Sequence, residues 1–168
     1  MAEDFRLASV SDFAAVQSLF KLAISKMQSE LIDQWDEIYP DEAILAADIK
    51  RRQMYLLVMD GVIAAAIVLN EYQDEEYAAG NWIFLNGRIA VIHRLCVHPG
   101  FQDAGIGRRT IQLAEALLAS QGYAAIRLDS FLENPKALQL YRRLGYRPAG
   151  TVRFRKGEFQ LFEKMLYN

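Results

Sequence analysis

The chain has 168 residues, 52% of them hydrophobic and 24% charged, with a formal net charge of −2. That length suits one domain whose core needs neither disulfide nor metal, and the single cysteine, Cys96, cannot form an internal disulfide. The near-neutral balance, with no long run of lysine or arginine, excludes the basic footprint of a nucleic-acid binder.

The longest apolar run, residues 62–69, is too short to cross a bilayer, and the polar, acidic start does not read as a signal peptide. A lone cysteine fits a reducing compartment, so a cytoplasmic protein is expected. Residues 5–8 read as a first strand. Ser9 and Asp12 then have the spacing of a capping box, and Phe13, Val16, Phe20, Ala23 and Met27 recur at helical spacing. Residues 41–51 suggest a second helix. Two apolar runs, 54–59 and 62–69, flank Asp60-Gly61, a pair that supplies the positive φ angles of a tight hairpin.

Residues 70–88, with Glu71, Asp74, Glu75 and Glu76 around them, break the pattern and read as a surface loop or irregular hairpin. Residues 90–97 form another strand, stopped by Pro99-Gly100. Gly105 opens a helix that Gly122 closes, and 124–130 is a strand. The helix over 135–144 has Asn134 as N-cap, Pro135 in its first turn and Gly145 as C-cap. A final hairpin, 151–155 with 158–166, turns at Lys156-Gly157. The order β-α-α-β-β-β-α-β-α-β-β describes a mixed α/β domain, with a parallel crossover from 90 to 130.

The richest segment chemically is Val97-His98-Pro99-Gly100-Phe101-Gln102-Asp103-Ala104-Gly105-Ile106-Gly107-Arg108-Arg109. A strand ends, a glycine-bearing loop follows and a helix begins. Amides at a helix N-terminus lack intrahelical acceptors and carry the positive end of the dipole, so the site suits a phosphate or pyrophosphate. The alternative is a glycine-rich helix start that only aids packing. It is neither a P-loop, lacking Gly-Lys-Ser/Thr, nor a dinucleotide fingerprint, lacking a third glycine.

Gln102, Gly105 and Gly107 after a strand, with Asn134-x-x-Ala137-x-x-Leu140-Tyr141 and Gly145-Tyr146 downstream, resemble the GNAT superfamily of N-acetyltransferases. The clearest resemblance covers 90–147. It implies a single domain over 1–168 with a mixed central sheet, parallel in the middle and flanked by helices. It also implies acetyl-CoA as co-substrate and no metal. Leu95, Cys96 and Val97 would bind the pantetheine arm through their backbone. The amides of Asp103, Ala104, Gly105, Ile106 and Gly107, with Arg108 beside them, would take the pyrophosphate. Asn134 and Tyr141 also fall on cofactor-binding positions.

By the same resemblance Tyr141 is the general acid that protonates the departing thiolate; its other role is to pack a helix on the sheet. Asp129 and His93 are alternative bases, with Glu133 a third, and direct loss of the proton to solvent remains open. In a packing role His93 is a satisfied core histidine, and Asp129 pairs with Arg127 or Arg94. Along an ideal strand His93, Leu95 and Val97 share one face and Arg94 and Cys96 the other. Cys96 in an apolar strand reads as a core residue rather than a nucleophile, and His93, Cys96 and His98 on one strand cannot converge on zinc.

Trp35 and Tyr39 are candidates for an aromatic wall around the acceptor, or for pinning a loop to the core. Phe159, Leu161 and Phe162 fit either the core or the edge of a homodimer. The acceptor expected is a small-molecule amine, with no nucleic-acid or membrane partner. A protein N-terminal acetyltransferase, a non-catalytic acyl-CoA-binding module and a structural α/β domain are the alternatives.

Overall fold

A computed structural model describes residues 2–166. The elements follow the expected order: β1 (Glu3–Leu7), α1 (Phe13–Ser29), α2 (Glu42–Lys50), β2 (Met54–Met59), β3 (Val62–Asn70), β4 (Ile89–Val97), α3 (Ile106–Ser120), β5 (Ala125–Phe131), α4 (Pro135–Arg143), β6 (Arg147–Phe154) and β7 (Gly157–Met165). The fold class is mixed α/β, as the pattern predicts. Among the described residues no helix is long and apolar enough to cross a membrane.

The chain divides into two compact units, one made of Met1–Leu69 and Arg94–Leu113, the other of Asn70–His93 and Ala114–Asn168. In the first, β1, β2 and β3 form an antiparallel meander. Asp60 (φ +49°) and Gly61 (φ +83°) turn the β2–β3 hairpin, as Asp-Gly predicts. Buried residues of β2 and β3 feed two apolar clusters. Leu56, Ala66 and Val68 pack with Val16, Phe20 and Ala23 of α1, while Leu57, Ala64 and Ala65 pack with Ile106. The Asp12 carboxylate accepts from the Ser9 N–H at 2.8 Å, which anchors the approach to α1.

In the second unit Ile89–Val91 of β4 pair in parallel with 125–127 of β5. β7 pairs antiparallel with both β5 and β6. The strand β6 begins four residues earlier than expected, at Arg147, with a register shift between Pro148 and Thr151. Proline has no N–H to give the ladder, so the strand continues past it only irregularly. Phe159, Leu161 and Phe162 are buried in the core.

The segment 70–88 is largely exposed and irregular, as expected, but it is anchored at one point. It contains a short 3₁₀ turn, Glu75–Ala79, whose Tyr77 is 1% exposed. The Trp82 indole N–H donates to the Tyr77 carbonyl at 2.7 Å, and the Arg127 guanidinium lies over the Trp82 ring at 4.2 Å. Two aromatics and a buried arginine outweigh the polar local composition.

Candidate active site

The first unit carries the loop. His98 Nδ1 accepts from the Gly100 N–H at 2.9 Å, and Phe101 N–H closes a short turn on the His98 carbonyl at 2.8 Å. Asp103 (φ +63°) and Gly105 (φ +77°) are both left-handed. The Gly105 carbonyl accepts the first helical bond, from Arg109 N–H at 2.9 Å, so the N–H groups before Arg109 have no intrahelical acceptor. Asp103, Ala104, Gly105 and Arg108 are exposed, Gly107 is half-buried and Ile106 points into the core. A Cβ built on Gly105 meets nothing within 4 Å, so the backbone there faces open space. An accessible, positively polarised helix start of this kind fits a pyrophosphate.

Two side chains near the loop have other duties. Gln102 reaches back toward β4, its amide 3.5 Å from the Val97 carbonyl. Arg109 is paired with Glu3 at 2.6 Å. Within β4, Arg94 has φ +47°, which interrupts the ideal alternation: His93, Arg94 and Leu95 are all half-buried, and so is Val97. Cys96 alone among them faces the core, and burial pushes its thiol well above the ordinary range, the reverse of what a nucleophile needs.

The second unit carries the side-chain chemistry. Tyr141 on α4 is buried, its ring 5.8 Å from Phe162 and 5.7 Å from Tyr146. Burial first, and then the Asp129 charge, raise its phenol pKa, so the protonated form is favoured. Asp129 on β5 is half-buried and accepts from the Tyr77 hydroxyl at 2.6 Å. Burial and the same carboxylate push Tyr77 far above an ordinary tyrosine. Of the two arginines named as partners for Asp129, Arg94 is bound to Asp48, and Arg127 donates to Gln73 and to the Phe84 carbonyl.

His93 takes a different set of contacts. Its Nε2 lies 2.8 Å from Asn70 Oδ1 and 3.1 Å from the Tyr72 carbonyl. A carbonyl oxygen only accepts, so Nε2 is a donor in the contact with Tyr72. Asn134 caps α4, its Oδ1 accepting from Ala137 N–H at 3.3 Å, and Glu133 is exposed. The expected aromatic wall divides. Trp35 is 7% exposed and packs at a tilt against Phe20, ring centroids 5.4 Å apart, whereas Tyr39 is exposed and its hydroxyl accepts from Arg94 at 2.8 Å.

Tyr77, Asp48 and Arg94 were absent from the sequence-based site. Tyr77 sits among acidic residues without periodicity, and its only signal was an aromatic where a solvated loop needs none. Nothing in the sequence pairs Asp48 with a residue 46 positions away.

The model of the acetyltransferase (GNAT) family matches residues 17–146. The chain belongs to the GNAT family. A GNAT-family acetyltransferase from Streptococcus agalactiae has the same fold, with a TM-score of 0.88 at 22% identity over 99% of this chain and 96% of that one. The PaiA N-acetyltransferase from Thermoplasma acidophilum, solved in complex with coenzyme A, gives 0.73 at 19% identity over 98% and 99% of the two chains. A mycothiol acetyltransferase from Clavibacter sepedonicus is 30% identical over 93 residues, 55% of this chain. That stretch spans only 31% of the relative's own length. The GNAT match covers both the loop and the Asn134–Tyr141 segment.

Proposed function

We propose that this GNAT protein transfers the acetyl group of acetyl-CoA to a primary amine of a small molecule, by direct attack while both substrates are bound. The observation that carries the reading is the start of α3, where Gly105 is left-handed, a Cβ built on it meets nothing within 4 Å, and its carbonyl accepts the first helical bond, from Arg109 N–H. Acetyl-CoA supplies, when bound, an acyl group activated as a thioester. The N–H groups of 103–107 would hold its pyrophosphate, and the main chain of 95–97 its pantetheine arm. A main-chain N–H near Val97 would polarise the acyl carbonyl.

Tyr141 Oη holds the proton that the departing sulfur takes up, and its raised pKa keeps that proton in place at neutral pH. The amine must lose a proton, either to Asp129, to His93 Nδ1 or to solvent. An imidazole titrates in the range this task needs. The likeness to a mycothiol acetyltransferase supports a small-molecule acceptor.

Melting with and without acetyl-CoA, against adenosine triphosphate as control, tests the reading. A ligand bound only by the folded state adds about 2.7 kcal/mol at a hundredfold excess over Kd. A selective upward shift is expected, followed by thiol release when an amine acceptor is supplied. No shift at millimolar acetyl-CoA overturns the proposal.

A further inference from the structure

Backbone strain and a buried charge meet at Arg94. Its φ of +47° lies within β4, in a region that side-chain-bearing residues enter only when their surroundings over-determine it. Its surroundings do so. Nε and Nη2 donate to the two oxygens of Asp48 at 2.8 and 2.6 Å, and Nη1 donates to the Tyr39 hydroxyl at 2.8 Å. The side chains of Arg94 and Asp48 are only 12% and 4% exposed. Asp48 belongs to α2, a helix buried against the first unit's core through Leu45 and Ile49. A bidentate fork from a rigid helix therefore fixes the guanidinium in both position and rotation.

The three residues that follow are 95–97. A left-handed residue rotates the peptide planes after it, so its φ sets where their N–H and C=O groups point. We propose that Asp48 and Arg94 are a positioning pair: their buried ion pair holds the left-handed step of β4 and so aims the main chain of 95–97 at the pantetheine and thioester end of acetyl-CoA. Neither residue needs to touch the ligand. The bond to Tyr39 ties the segment between α1 and α2 to the same step. This inference rests on the reading that the protein binds acetyl-CoA along β4.

Calorimetric titration of the full chain with two probes tests it. One is acetyl-CoA; the other is adenosine 3′-phosphate 5′-diphosphate, which keeps the pyrophosphate but lacks pantetheine. The double variant Asp48→Asn/Arg94→Gly removes the pair, leaves no unpaired buried charge and places at 94 the residue that best tolerates positive φ. Its acetyl-CoA Kd is expected to rise about tenfold or more, with the fragment's Kd unchanged. Equal weakening of both probes would reduce the pair to ordinary packing and overturn the proposal, as would no weakening of either. If the double variant does not melt cooperatively, Arg94→Lys, which keeps the charge but not the fork, is read with the same probes and the same criterion. Wild-type protein that binds neither probe would remove the acetyl-CoA reading itself, and with it the pair's role.

Discussion

The loop before α3 and the tyrosine–carboxylate set around Asp129 solve different problems with different parts of the chain. In the proposed reading the loop would work through main-chain N–H groups at an exposed helix start. The Asp129 set would work through side chains, and these are buried, with Tyr77 at 1% and Tyr141 at 6% exposure. A main-chain site is sensitive to backbone conformation and to whatever enters the space above it. A buried side-chain site is sensitive to single atoms, because an unpaired polar group there has no water to turn to.

The largest expected effect breaks the loop. Gly105→Glu puts a carboxylate where the pyrophosphate would lie, and acetyl-CoA binding should disappear in a titration. Gly105→Ala sharpens the same test. Its Cβ meets nothing within 4 Å, so only the cost of a side chain at φ +77° remains, about 1–2 kcal/mol of stability, with binding largely kept. A glutamate variant that binds like the wild type would remove the loop from the site.

Tyr141→Phe comes next. Loss of a positioned acid should lower kcat about a hundredfold or more while acetyl-CoA affinity stays level. Burial and Asp129 raise this phenol's pKa, so its acid form persists through neutral pH and beyond the ordinary value of ~10. The pH profile of kcat should therefore show no alkaline loss from this group below about 10. An unchanged kcat would hand the proton to water or to another residue.

The smallest effect is on stability. Tyr77→Phe deletes one hydroxyl and its 2.6 Å bond to Asp129, which should cost about 1.5–3 kcal/mol in urea denaturation at pH 7. The phenol's pKa is raised in the folded state, so its contribution is complete below the unfolded value of ~10 and is lost as pH climbs through the folded one. The gap between wild type and variant should thus narrow in strong alkali. A gap that is absent at pH 7 would mean the bond contributes nothing net.

Legibility followed the same division. The loop was readable because the devices it uses are local: glycines, a strand stop and a helix start within about ten residues. The order of elements was readable for the same reason, through periodicity, the Asp60-Gly61 turn and the Asn134 and Pro135 signals at α4. Family membership followed from motifs at fixed spacing. Tyr77 was not readable, since a lone aromatic in an acidic stretch has no period to mark it as buried. Trp35 was a candidate for substrate binding through the resemblance, yet it packs at a tilt against Phe20 in the core.

Sequence by itself determined the mixed α/β order, the glycine-bearing helix start and the placing of Tyr141 on a helix, because each is encoded by neighbours along the chain. Tertiary structure alone decided which charges meet. Asp48 found Arg94 across 46 positions, Asp129 found Tyr77 across 52, and Arg109 was drawn to Glu3 across 106. Such pairings depend on how strands and helices stack, and for Asp48–Arg94 and Asp129–Tyr77 the energy that selects them is the cost of burying a charge or hydroxyl without a partner. That cost exists only once the core has formed.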